Sequence, residues 1–122
     1  MKFNHINLVV RDPEASAAFY ADLLTGAVQT VWLGDSLHLR NDEGVDLAFQ
    51  QGTPSSAPGA HHGFLAANAA EVDDLLAKLK GEGTRITDDC TEDGFRSIKF
   101  RDPDGYEVEV YWEGDWPATS GE

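Results

Sequence analysis

The chain has a single cysteine, Cys90, among its 122 residues, so no intrachain disulfide can form and a reducing compartment suits it. Cys90 also has no basic neighbour in sequence, which gives it no nucleophilic role. Positive charge is scarce: nine Lys and Arg stand against 22 Asp and Glu, for a formal net charge of −13 and a pI near 4.4. Such a surface repels phosphates and argues against nucleic acid or an anionic membrane as partner. A cationic ligand or a metal is compatible with it, as is a plain solvated acidic surface. No apolar run approaches the ~20 residues that cross a bilayer. Arg11 and Asp12 interrupt the N-terminal apolar stretch before it could act as a signal peptide, so the protein reads as cytoplasmic. Phosphate-loop and dinucleotide glycine patterns are missing, as is a Ser/His/Asp order; the twelve glycines sit mostly at turns.

What the chain does contain is an internal echo. MKFNHINLVV (1–10) and AHHGFLA (60–66) each read as a short strand with a histidine near its start, His5 and His61, 56 positions apart. A polar helix cap follows each at the same spacing, Asp12 and Asn68, and Ala21/Ala77 and Leu23/Leu79 keep that register. Fixed self-similarity of this kind marks a duplicated supersecondary unit.

In the first half, residues 3–10 alternate, with Ile6, Leu8 and Val10 on the helix side and His5 and Asn7 on the other. Asp12-Pro13-Glu14 opens a helix whose stripe is Ala15, Phe19, Tyr20, Leu23 and Leu24, ended by Gly26. Strands are expected at 27–33, 36–40 and 45–50. The second half repeats the plan: a strand at 61–66, a helix at 69–81, and strands at 84–88, 95–101 and 106–112. RDPDG (101–105) mirrors RNDEG (40–44) at an offset of 61, so the second unit carries five extra residues in its middle hairpins. The expected organisation is one α+β domain of two βαβββ modules in a curved mixed sheet around a ligand or metal trough. Module one spans 1–51, a linker 52–60, module two 61–113 and a tail 114–122, with Trp116 pinning the tail.

HINLVVRDPEASAAFYADLL, HHGFLA and FRDPDGYEVEVYW together resemble the vicinal oxygen chelate superfamily, which includes glyoxalase I, fosfomycin-resistance transferases, extradiol dioxygenases, epimerases and bleomycin-resistance binding proteins. The resemblance implies metal ligands on the first and last strands of the modules: His5, His61 and Glu109. Period two agrees in placing Glu107, Glu109 and Tyr111 on one face. The offset of 61 maps Glu109 onto Ala48, so a fourth ligand is missing and the set resembles that of the dioxygenases and fosfomycin transferases.

The expected function is therefore that of a small metal-dependent enzyme acting on a bidentate oxygen-chelating small molecule. One divalent ion (Fe, Mn, Ni or Zn) serves as Lewis acid, with Glu109 in the catalytic role. His38, Trp32, Gln50, Lys99 and Tyr111 are the expected substrate contacts. Lys99 is the better placed of the basic cluster Arg96, Lys99 and Arg101 to meet an anionic substrate. His62, next to His61, points the other way unless the strand register slips by one. The competing class is a metal-free protein that sequesters an antibiotic. More aromatic residues (Trp32, Tyr111, Trp112, Trp116) than one small core requires lead to an expected homodimer.

Overall fold

Asp12 accepts hydrogen bonds from the backbone N–H groups of Glu14 and Ala15 at 3.1 and 3.2 Å, and Pro13 takes the first helical position. These contacts open α1 (Pro13–Ala21). Asn68 caps α2 (Ala69–Gly81) by accepting from Glu71 N at 2.9 Å, while the Glu71 carboxylate reaches back to Ala67 N at 2.8 Å. In the computed structural model, which describes residues 1–115, each helix belongs to one four-stranded sheet. Trp116 lies outside the described residues.

The first sheet is built from β1 (His5–Val10), β2 (Val28–Leu33), β3 (Ser36–Asn41) and β4 (Asp46–Gln51), in the order β1-β4-β3-β2. The second uses β5 (His61–Leu65), β6 (Ile86–Glu92), β7 (Phe95–Arg101) and β8 (Glu107–Glu113), in the order β5-β8-β7-β6. In both, the first pair is parallel and the others antiparallel. The fold is α+β, βαβββ twice.

Strand register makes the duplication literal. His5 pairs with Asp46 and His61 with Glu107; Asn7 pairs with Ala48 and Gly63 with Glu109; His38 pairs with Ala48 and Lys99 with Glu109. The five extra residues of the second module are also located. One is the irregularity between Ile86 and Asp88 in β6. The other four are the two additional pairs, Thr91–Arg96 and Glu92–Phe95, that lengthen the β6–β7 hairpin, where β2 and β3 end at the pair Leu33–Ser36.

Two expected elements need correction. The strand placed at 84–88 runs instead over Ile86–Glu92, because antiparallel pairing with β7 continues through the polar run that reads as a turn. The first helix ends at Ala21, capped by Asp22, with Leu23 N bonding Tyr20 O at 3.0 Å, so Leu23 and Leu24 lie past it. Its buried face is Pro13, Ser16, Ala17 and Tyr20. Ser16 fits there because its hydroxyl donates to Asp104 Oδ2 at 3.3 Å.

The chain forms two compact units. Unit 1 is Met1–Pro58 with Asp102–Gly105; unit 2 is Gly59–Arg101 and the chain from Tyr106 onward. In unit 1, Val10, Leu39 and Phe49 of the sheet are buried with Ala17 and Tyr20 of α1, and the Tyr20 and Phe49 rings stack at 5.5 Å. In unit 2, Ile98, Phe100 and Val108 are buried with Val72 and Leu79 of α2. Each of the buried Val, Leu, Ile and Phe side chains contributes about 1.5–3 kcal/mol.

The loop Asp102–Gly105 joins unit 1 through its acids. Tyr20 Oη donates to Asp102 Oδ2 at 2.6 Å, and Arg11 N and Nη1 donate to Asp104 Oδ1 at 3.0 and 3.3 Å. Asp102 also accepts from Asp104 N at 2.9 Å, an Asx turn that Asn41 repeats by accepting from Glu43 N at 3.1 Å.

Candidate metal centre

β-Strand alternation puts the site residues on the sheet faces turned away from the helices. On β8, Val108 and Val110 go to the α2 side and are buried, which leaves Glu107, Glu109 and Tyr111 on the other face. His61 shares that face through its pairing with Glu107, while His62 pairs with Val108. The strand register is thus the expected one.

The geometry around His61 has a specific electrostatic meaning. Its Nδ1 lies 3.2 Å from the carbonyl oxygen of Gly59. A carbonyl oxygen can only accept, so Nδ1 carries the proton and Nε2 of the neutral ring keeps its lone pair. That Nε2 faces Glu109 Oε1 at 3.3 Å. Two electron-rich atoms held face to face need a cation between them, either a proton on the ring or a metal ion. Neighbouring ligand atoms on one ion with bonds of about 2.1 Å stand roughly 3–3.4 Å apart, the separation seen here. The donor set therefore fits a divalent metal. Glu109 Oε2 is engaged separately, accepting from Ser97 Oγ at 2.5 Å.

Within unit 1, His5 is set up in the same way. Its Nδ1 lies 3.0 Å from the carbonyl oxygen of Asp46, so this ring too offers Nε2 as its free donor. His5 is accompanied by His38, whose ring stacks nearly parallel at a centroid distance of 6.0 Å, and by the Asp46 carboxylate. His5, His38 and Asp46 each offer a donor atom within 4.8 Å of the others. These acceptors are already served, however. His38 Nδ1 donates to Asp46 Oδ1 at 2.9 Å, His5 Nδ1 is 3.4 Å from Oδ2, and Arg40 Nε stands 3.4 Å from Oδ1. A guanidinium at that distance repels a further cation, so the cluster reads as a hydrogen-bonded network that orients the two rings.

Burial raises the Asp46 carboxyl pKa, but the hydrogen bonds and charges of His38 and Arg40 together outweigh it and hold the group below its ordinary value. The sign for stability follows. Asp46 contributes fully above its unfolded value of about 3.9 and loses that contribution as pH falls through the lower folded value. Asp46→Asn is expected to cost about 1.5–3 kcal/mol at pH 7, the worth of a hydrogen bond to a charged group. The gap to wild type should close on acidification below about pH 4, as read by urea unfolding across pH.

The remaining expected contacts divide by face. Gln50 is exposed beside Asn7, whose Nδ2 lies 3.5 Å from its Oε1. Lys99 pairs with Glu109 and Tyr111 with Ser97, so both share the face of Glu109. Trp32 pairs with Leu37, on the side of the first sheet that α1 covers, opposite to His38, and is 50% exposed. Arg96 is buried and held by Asp73 at 2.8 Å and Asp89 at 2.7 Å, while Arg101 lies 3.9 Å from Glu107. Burial and then the neighbouring Glu92 and Asp88 push the Cys90 thiol up. Sequence reasoning missed Asp46 and Ser97. Both follow strand alternation, Asp46 with Ala48 and Gln50, and Ser97 with Lys99.

The family model of the Glyoxalase/Bleomycin resistance protein/Dioxygenase superfamily matches residues 2–110. A manganese-dependent 2,3-dihydroxybiphenyl 1,2-dioxygenase of Geobacillus genomosp. 3 is 28% identical over 97% of the chain, which spans 38% of that relative's length. Among solved structures, Oxidase ChaP-H2 superposes with a TM-score of 0.75 at 24% identity, covering 93% of this chain and 94% of that one. The fosfomycin resistance protein FosX of Listeria monocytogenes superposes with a TM-score of 0.76 at 22% identity, covering 92% and 93%. At these identities the structural matches speak for the fold alone.

Proposed function

Because the chain belongs to the Glyoxalase/Bleomycin resistance protein/Dioxygenase superfamily, we propose that it is a small metal-dependent enzyme acting on a bidentate oxygen-chelating small molecule, with one divalent ion held by His5, His61 and Glu109. The observation that carries this reading is His61 Nε2 facing Glu109 Oε1 at 3.3 Å with the ring proton committed to Gly59. When bound, such an ion would supply Lewis-acid stabilisation to a chelated pair of substrate oxygens.

The chain's own residues do the rest. Backbone carbonyls fix the tautomers of His5 and His61, so each ring offers Nε2 without a rearrangement. His38, 14% exposed at its side chain and aligned by Asp46, offers its own Nε2 for a hydrogen bond to substrate beside His5. Lys99, across from Glu109, supplies positive charge to an anionic substrate. Gln50 and Tyr111 are the further contacts on their respective faces.

The similarity to a relative named for manganese and a vicinal diol makes Mn(II) and catechol-type diols the first choice for an assay. Untagged protein, freed of metal by chelator, is expected to take up one Mn(II) or Fe(II) per chain at micromolar concentrations. With dioxygen and a vicinal diol it should then consume oxygen. Failure to take up any divalent ion would overturn the enzyme reading. In the same reading the chain assembles as a homodimer, supported by the uncharged and exposed edge strand β2, where Val28, Val31, Trp32 and Leu33 lie open. Light scattering that returned a 13.3 kDa particle would refute that assembly.

A further inference from the structure

We infer that Ser97 is a positioning residue that holds Glu109 to one-oxygen ligation, an inference that rests on the metal site proposed for His5, His61 and Glu109. Ser97 pairs with Tyr111 and Glu109 with Lys99, so Ser97 and Glu109 are diagonal neighbours across β7 and β8 on one face. The Ser97 hydroxyl is 2.5 Å from Glu109 Oε2, a short charge-assisted bond, and the residue is 2% exposed. Its backbone is tied down from the opposite face, where Arg96 Nη1 donates to the Ser97 carbonyl at 3.1 Å while Asp73 and Asp89 hold the guanidinium. The hydroxyl thus comes from a strand position that has little freedom to move.

The consequence lies in how the carboxylate can act. With Oε2 occupied, only Oε1 is turned toward His61 Nε2. One oxygen fills one coordination position, whereas a freed carboxylate can close on an ion with both. A substrate that chelates through two oxygens needs the position so spared. The duplicated chain holds an internal control: Ser36 occupies the same register position in unit 1, opposite Gln50, but Ala48 gives it no carboxylate to hold. The hydroxyl has an acid to position only in the second module.

The test is metal titration of apo protein with Co(II), followed by calorimetry and by the visible spectrum of the bound ion, with no turnover involved. Ser97→Ala is expected to weaken Co(II) binding about 10–100-fold, the usual cost of losing a hydrogen bond to a metal ligand. The spectrum should shift to that of a higher coordination number as Glu109 closes through both oxygens. Ser97→Thr, which keeps the hydroxyl, should return both readouts toward wild type. Ser97→Cys, near in size but a weak donor, should follow the alanine variant and serves in its place if that variant does not fold. If wild type binds Co(II) and the alanine or cysteine variant matches it in affinity and spectrum, the positioning role is wrong and the metal site stands. Threonine tracking alanine would overturn the role equally. If wild type binds no ion, the metal site itself fails and this role falls with it.

Discussion

At an ion concentration of 100 times its dissociation constant, wild-type protein is expected to gain about 2.7 kcal/mol of stability from Mn(II), and Glu109→Gln to gain none. The glutamine keeps an oxygen for the Ser97 hydroxyl, so the 2.5 Å bond survives in neutral form and the 2% exposed serine stays paired. The other end of the amide is an NH2 group, which meets His61 Nε2 as a donor. Lone pair against lone pair becomes a donor against an acceptor, and nothing remains there for a cation to satisfy. Apo Glu109→Gln should consequently be as stable as apo wild type or slightly more so. This combination, an unharmed fold and a lost response to metal, is one that a merely structural glutamate would not produce. His62→Ala, altered on a residue that pairs with Val108, should keep the full metal response. Urea unfolding with and without Mn(II) reads all three proteins. Retention of the metal response in Glu109→Gln would remove Glu109 from the ligand set.

Tyr20→Ala is expected to cost about 3–5 kcal/mol, the range for truncating a buried aromatic side chain. Tyr20 has no exposed surface, its ring stacks on Phe49 at 5.5 Å, and its hydroxyl donates to Asp102 at 2.6 Å. Tyr20→Phe separates these parts. It keeps the ring and leaves the 5% exposed Asp102 carboxylate short of a donor, at a cost of about 1.5–3 kcal/mol. If the phenylalanine variant unfolds at the wild-type urea midpoint, Asp102 has found another donor and the loop does not depend on this bond.

The helix starts and strand alternation were legible because each depends on near neighbours. Asp12-Pro13 and Asn68 announce their helices, and the alternation of Glu107, Val108, Glu109 and Val110 assigns faces without reference to the rest of the chain. The end of α1 was not legible, since Leu23 and Leu24 continue an apolar rhythm past the point where Leu23 N turns to Tyr20 O. The reach of β6 was hidden because ITDDCTE is polar and its pairing is supplied by β7. Asp46 escaped notice for a related reason. An acid near a strand end in a chain of net charge −13 reads as solvated surface until two other strands bring His5, His38 and Arg40 to it. Ser97 likewise gains its meaning only from the diagonal neighbour on β8.

Unit 1 is discontinuous in the chain: the polypeptide leaves unit 2 after Arg101, supplies Asp102–Gly105 to unit 1, and returns at Tyr106. A duplication made of two self-sufficient halves could be undone by a single cut in the connecting segment. Here such a cut would deprive the first half of the acids that receive Tyr20, Ser16 and Arg11. Those side chains belong to the first copy and their acceptors to the second, so the first copy has come to depend on a loop of the second. The first half cut free would therefore not carry a complete copy of its own unit.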